Sequence, residues 1–515
     1  MTRSFVLKAW FGGAGLGVAC WGWRPRSAGS YGSPPVSQAS RSSCGSSNAP
    51  RGHRSPVSGD TLRAPGAILV VSCYELGHQP LGLAWPLAFL ERAGYAPRAL
   101  DLGLEPLDEA AVRGARLVAV MAPMHTALRL GVRAAQRIRR LNPDCRIVFC
   151  GLYALLCAGF LLDGVADGVM GAEFEGELVA LAQRLEAGRE PERRVAVLHR
   201  LAFPLPSRAS LPPLTRYVRL VRHDRVVPAG YVEASRGCLH ECLHCPIPPV
   251  YGGRFFAVPR SVVLEDIRQL VVAGAGHITF GDPDFLNGPG HALKLVRELH
   301  VEFPEVSYDF TAKIEHVRRH RELFAEFAAT GCAFVVSAVE TLSDVVLAHL
   351  EKGHTKADVA EAIAILRHAG IAPRPTFVPF TPWSTLADYL ELLDFLEAHD
   401  LVDHVDPVQL TIRLLVPPGS LLLTRPALRA AFGELDAAGL SHRWTHPDPR
   451  MDELQRATSA LVARAADAAE DPAVTFHRIR VLASRAAGTT TPPAPLRRPP
   501  PERPIAPRLT EPWFC

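Results

Sequence analysis

From residue 66 onward the chain alternates between two hydrophobic patterns. Short continuous apolar runs, AILVVSCY (67–74), ARLVAVMAP (115–123) and CRIVFCG (145–151), read as strands covered on both faces. A strand covered on one face only would alternate apolar with polar residues. Between the runs, apolar residues recur at helical spacing around Leu83 to Ala93, closed by Gly94, and over 127–142, ended by Asn142–Pro143. RALDL (98–102), DGVMG (167–171) and a helix from Glu175 continue the series. The alternation predicts a doubly wound sheet of about five parallel strands over residues 65–190, of Rossmann-like type.

The same rhythm resumes after residue 229. YVEASRGC (231–238), HITFGDPDF (277–285), VSYDFTAKI (306–314), CAFVVSAVET (332–341), IAPRPTFVPF (371–380) and DPVQLTIRLLVPPGS (406–420) read as six strands with helices between them. Six such units predict an incomplete (β/α)6 barrel of TIM type over 229–425, with residues 191–228 as linker. In barrels the chemistry sits at the carboxyl ends of the strands. Residues 426–487 read as a helical region, and 488–515 as a proline-rich tail that should be extended and largely unfolded.

Composition changes the picture at the ends of the chain. Before Asp60 there is no acidic residue, seven are Arg or Lys, and eleven serines lie between Ser27 and Ser58. Residues 1–64 therefore read as a disordered extension, or as a start assigned too far upstream. A net charge of +4 over 515 residues is too small to suggest a nucleic-acid surface. No apolar run reaches membrane-spanning length. Eleven cysteines scattered among buried-looking strands do not form a disulfide framework. They point to a reducing compartment, the cytoplasm.

Candidate chemistry concentrates in RGCLHECLHCP (236–246), where Cys238, Cys242 and Cys245 stand at C-x3-C-x2-C spacing. Thiolates this close on one loop suit an iron–sulfur cluster or a zinc ion. A zinc site would recruit His240 or His244 as fourth ligand, in cramped geometry and without the usual second pair downstream. With three thiolates, a 4Fe–4S cluster keeps one iron open to a small molecule. This motif resembles the signature of the radical S-adenosylmethionine enzymes.

The resemblance implies that the open iron chelates S-adenosylmethionine, whose reductive cleavage yields a 5′-deoxyadenosyl radical. It implies a small-molecule or peptide substrate and an electron donor such as ferredoxin or flavodoxin, with no nucleic-acid or membrane partner. Glu233 and Arg236 are typical of the family before the loop. Asp282, with Asp284 nearby, falls where the family contacts the amino group of S-adenosylmethionine, although both can equally shape a turn. Ser337 and Glu340 end the fourth strand, and LEKGHT (350–355) resembles the family's lysine–glycine turn, which favours Glu340. On the sixth strand, beside Gln409, Arg413 can pair with the carboxylate of S-adenosylmethionine or form a rim salt bridge.

Residues 65–190 resemble the cobalamin-binding domain that precedes the barrel in one subfamily, which makes cobalamin a further candidate cofactor. No Asp-x-His-x-x-Gly motif supplies a cobalt ligand, and a domain that only packs on the barrel is the alternative. If a ligand binds, it belongs at Tyr74–Gly77, Pro123–Thr126, Gly151–Tyr153 and Gly171–Phe174. Cys515, last in LTEPWFC, resembles a chain cut at selenocysteine in a group whose tails read Cys-Sec-Ala-Glu-Pro or Cys-Cys-Ala-Glu-Pro. Tail function for Cys515 is then an expectation, against a frayed end. A metal-stabilised binding protein without catalysis is the reading of another class.

Overall fold

The computed structural model describes residues 62–222, 225–488 and 506–511. The expectations for residues 1–61 and for Cys515 lie outside the described residues. The first sheet is made of β1 (Ile68–Ser72), β2 (Arg98–Asp101), β3 (Leu117–Met121), β4 (Arg146–Cys150), β5 (Gly168–Ala172) and β6 (Arg194–Val197). Its order is β2-β1-β3-β4-β5-β6, and every pairing is parallel. Alternate residues of β1 serve opposite faces, as the pleat requires: Ile68 and Val70 join the cluster that continues into the barrel core, while Leu69 and Val71 pack under the outer helices. The sheet has six strands where the sequence suggested about five. The added β6 lies inside the expected linker, and its alternating exposure marks an edge strand that carries little apolar signal.

The rest of that linker is tied down. Arg208 holds Asp266 through Nε and NH2, at 2.6 and 2.8 Å, and also donates to Gln79 Oε1 and the Tyr231 carbonyl. This fork joins the linker, the loop after β1 and the helix Arg260–Val272.

β7 (Arg219–Arg222) forms an antiparallel hairpin with β8 (Arg225–Val232), the first barrel strand. The expected strand 231–238 is broken. Its later part, β9 (Ser235–Gly237), leaves the barrel and pairs antiparallel with β10 (Phe255–Ala257). Gly237 permits the turn, since its φ is +77° and a Cβ there would lie 2.3 Å from the Arg254 carbonyl oxygen. β11 (His277–Phe280), β12 (Ser307–Thr311), β13 (Cys332–Glu340) and β14 (Ala372–Phe377) follow β8 in parallel order.

The expected sixth strand is reduced to one parallel bridge between Phe380 and Arg413. Gln409 lies in a 3-10 turn, Pro407–Leu410, because Pro407 cannot donate to a ladder and the Tyr389 hydroxyl takes the Leu410 carbonyl. The barrel is thus open, with five strands and a bridge. Helices Pro449–Asp467 and Pro472–Ala486 complete the described C-terminal region.

Part of the expected unfolded tail is ordered. Arg508 and Leu509 pair with Val221 and Leu220 of β7 and extend the barrel sheet by one strand. Among the described residues no helix is long and apolar enough to cross a membrane.

Candidate functional site

Barrel strands end where β8, β11, β12 and β13 converge on the cysteine loop. Cys238 and Cys242 are buried, Cys245 is partly exposed, and all three thiols are free. Asn287 anchors the loop: its Oδ1 accepts from the Leu239 backbone N–H at 3.2 Å and faces Cys238 Sγ at 3.9 Å. Farther along, Leu243 N–H donates to the Leu350 carbonyl at 3.0 Å. Burial pushes the Cys245 thiol up to about 12 and raises that of Cys238. A loop that keeps Cys238 and Cys245 neutral when bare is suited to hold a cation that draws them into thiolates.

The three thiols do not converge as a mononuclear zinc site would. Zinc–sulfur bonds of about 2.3 Å bring neighbouring sulfurs to within about 4 Å. Among the described residues, however, the group of three candidate ligands that comes within 4.8 Å is His240, Asp284 and His316. Nor do the loop histidines complete a zinc tetrahedron: His244 Nε2 meets Glu340 Oε1 at 3.0 Å, and His240 Nε2 meets His316 Nε2 at 3.2 Å. Three thiols as a soft donor set fit an iron–sulfur centre.

Glu340 and the lysine of the LEKGHT turn meet in the structure. Lys352 Nζ donates to Glu340 Oε1 at 3.1 Å, and both side chains are buried. Burial alone would raise the Glu340 carboxyl, but Lys352 and then His244 overturn it and hold the group well below the ordinary carboxylate range. Glu340 has φ +67°, so the strand kinks there and points the carboxylate at the loop. Burial lowers the Lys352 ammonium, yet Glu340 first and then Cys242 hold it above its ordinary value. Lys352 is therefore an ammonium between the carboxylate and the thiols.

The remaining expected residues are placed differently. Both oxygens of Asp282 are taken, by the Ser235 hydroxyl and by the Ala234 backbone N–H at 2.9 Å, so it braces the turn that starts the loop. Burial pushes its carboxyl up to about 7. Ser337 is buried with a hydroxyl lacking any hydrogen-bond partner. Arg413 lies apart from this group: it holds Asp452 at 2.6 Å, donates to the Trp444 carbonyl and stacks on that indole. Gln409 Oε1 accepts from the Phe377 backbone N–H at 3.1 Å.

Several contributors had no sequence signal beyond their own residue type. Asn287, Lys313 and His316 are such cases, since each meets the loop only through the fold. Arg236 stood out in the sequence, but its partners Glu173 and Glu175 come from the first sheet, at 3.7 and 2.8 Å, with Glu233 at 2.9 Å. Three of the four strand ends expected for a ligand touch later parts of the chain: Gly77 carbonyl accepts from the Val218 N–H, His125 Nε2 lies 2.7 Å from the Gly439 carbonyl, and Tyr251 donates to Glu173.

Comparison with known proteins agrees with this geometry. Residues 232–396 match the radical SAM superfamily. The ribosomal protein uS12 methylthiotransferase RimO of Porphyromonas gingivalis is 29% identical over 183 residues, which are 32% of this chain and 40% of that protein. The chain thus spans less than half the length of this relative. Among solved structures, the radical S-adenosylmethionine methyltransferase TsrM of Kitasatospora setae, bound to tryptophan and a SAM analogue, superposes with TM-score 0.51 and 20% identity, over 65% of this chain and 71% of that one. OxsB, a cobalamin-dependent S-adenosylmethionine radical enzyme with aqua-cobalamin bound, gives TM-score 0.59 and 14% identity, over 77% and 67%.

Proposed function

We propose that this chain is a radical S-adenosylmethionine enzyme in which Cys238, Cys242 and Cys245 hold a 4Fe–4S cluster. One observation carries the reading: three free thiols stand on one loop at the carboxyl end of a half-open barrel, while both loop histidines are engaged elsewhere. When bound, the cluster supplies the electron that cleaves S-adenosylmethionine to a 5′-deoxyadenosyl radical. The chain's own residues exclude water and fix charge around it. Lys352 places an ammonium beside the thiols, which favours an anionic centre there. Glu340, kept ionised, accepts hydrogen bonds from hydroxyl or ammonium donors, and the unpartnered Ser337 hydroxyl offers one more polar contact. Asp282 acts by holding the loop turn, and Arg413 acts through the rim pair it makes with Asp452 rather than on the cofactor.

The substrate class we propose is a small molecule or a peptide, with an external reductant such as ferredoxin or flavodoxin and a cytoplasmic setting. Methyl transfer through cobalamin is a second reading, favoured by the cobalamin-bound neighbour of similar fold. If cobalamin binds, its place is the carboxyl ends of the first sheet's strands, which face later parts of the chain. The tail reading rests on Cys515 alone. Selenium in the native protein, found by mass spectrometry, would establish it.

The test is anaerobic reconstitution with iron and sulfide, followed by S-adenosylmethionine and a reductant, with 5′-deoxyadenosine as readout and cobalamin added or omitted. The expected result is cleavage that disappears in the triple Cys238/Cys242/Cys245→Ala variant, and a methylated product only with cobalamin would favour the second reading. A chain that binds no cluster but retains zinc on these cysteines would overturn the reading.

A further inference from the structure

We propose that His240, Asp284 and His316 form a second, mononuclear site for a divalent first-row transition ion beside the thiol loop. The three residues come from separate elements: the cysteine loop, the end of β11 and the helix Ile314–Arg319 after β12. Among the described residues they are the group whose ligand atoms all lie within 4.8 Å of one another. His240 Nε2 is 3.2 Å from His316 Nε2 and 3.7 Å from Asp284 Oδ2. Ligand bonds of about 2.1 Å in a tetrahedron separate the donors by about 3.4 Å. The two measured edges fall on either side of that value. Asp284 and His316 are almost fully buried, at 3% and 6% side-chain exposure, and His240 stands at 17%.

A second observation separates this from a bare hydrogen-bond chain. Lys313 Nζ lies 3.2 Å from His240 Nδ1, so a relay could run from Lys313 through His240 and His316 to Asp284. Its last link fails on direction. His316 Nδ1 is buried without a hydrogen-bond partner although Asp284 Oδ2 is only 2.8 Å away, so the oxygen stands off the N–H direction. The buried Nδ1 of His316 is thus left without the acceptor that a relay would need there. Charge permits a cation as well. Two carboxylates, Asp284 and Glu315, face one ammonium, Lys313, which is 3.3 Å from Glu315 and on the Nδ1 side of His240, away from the shared Nε2.

Two imidazoles and one carboxylate suit Fe2+, Co2+ or Zn2+ better than soft or purely oxygen-seeking ions. Three protein ligands leave a coordination position open, as catalytic rather than structural sites do. An oxygen or nitrogen donor of a substrate would complete the coordination there. The ligands share no atom with the three thiols, so this site goes beyond the radical chemistry proposed above and does not depend on it.

The test uses the full chain carrying Cys238/Cys242/Cys245→Ala, titrated anaerobically with Co2+. The expected result is one equivalent bound with visible d–d absorption, lost on further His316→Ala or Asp284→Asn substitution. Absence of the band, or a band that survives both substitutions, overturns the proposal. Should the triple variant not fold, the cluster-reconstituted parent carries the same test. Metal analysis should then find one Zn2+ taken up beyond the cluster iron, and none in His316→Gln with the iron count unchanged. Zinc uptake equal in both proteins overturns it. A chain that forms the cluster without the extra ion sinks this proposal alone, and one that binds Co2+ but forms no cluster sinks the other alone.

Discussion

Arg236 supports the cysteine loop through charge, and the cost of losing it can be worked from its surroundings. Its guanidinium is 10% exposed and faces Glu175 at 2.8 Å, Glu233 at 2.9 Å and Glu173 at 3.7 Å. Each such contact is worth about 4 kcal/mol of gross attraction near a protein surface, most of it offset by desolvation. Arg236→Met keeps the stem over Phe203 and Trp85 but leaves two fully buried carboxylates without a cation. Breaking a buried pair in this way costs about 3–5 kcal/mol. The loss must depend on pH. Burial already pushes the Glu173 carboxyl up to about 7 against the pull of Arg236, and it raises Glu175 too. A carboxyl raised above its unfolded value favours folding while protonated, and that contribution fades as pH climbs from the ordinary carboxylate range toward about 7. Without Arg236 both groups can escape the penalty by taking protons. Urea melts at pH 6 and pH 8 should therefore show a loss of about 3–5 kcal/mol at pH 8 and markedly less at pH 6. Adding Glu173→Gln and Glu175→Gln should recover most of the difference. A loss below about 1 kcal/mol, or one equal at both pH values, would refute the argument, because it would mean water reaches these carboxylates.

Lys352→Met strips Glu340 of its buried counter-ion and should cost about 3–5 kcal/mol; the double variant with Glu340→Gln should regain part of it in the same melts. The Glu340→Gln variant alone should weaken binding of S-adenosylmethionine to the reconstituted protein, measured by isothermal titration, while the cluster absorbance persists. Glu511→Ala leaves His78, which is 2% exposed and 3.1 Å from that carboxylate, without a partner, and should lower stability by about 1–3 kcal/mol. An unchanged melt would show that the tail segment contributes nothing there.

The features that could be read from the chain are local ones. Continuous apolar runs gave the parallel strands because those strands are covered on both faces, and C-x3-C-x2-C named the loop because all three ligands are neighbours in sequence. The LEKGHT turn pointed to Glu340 for the same reason: Lys352 lies twelve residues away and comes back on one short helix, Asp344–His349. Reading failed where pairing decides. The sixth barrel strand has apolar residues of the right kind, but it has an N–H missing at Pro407 and a carbonyl already taken by Tyr389, so periodicity could not tell a strand from a bridge. Arg413, on that segment, pairs with Asp452. Asp282 and Asp284 show the limit most plainly. They are two residues apart at the end of β11 and identical in type, yet one spends its oxygens on the backbone and hydroxyl of the turn while the other faces two histidines. No spacing rule separates them, because the deciding groups, Ser235, His240 and His316, arrive from a loop before the strand and a helix after the next one. Charge at this site is therefore assigned by the fold, and the variants most worth making are those that remove one partner of a contact made between elements far apart in sequence.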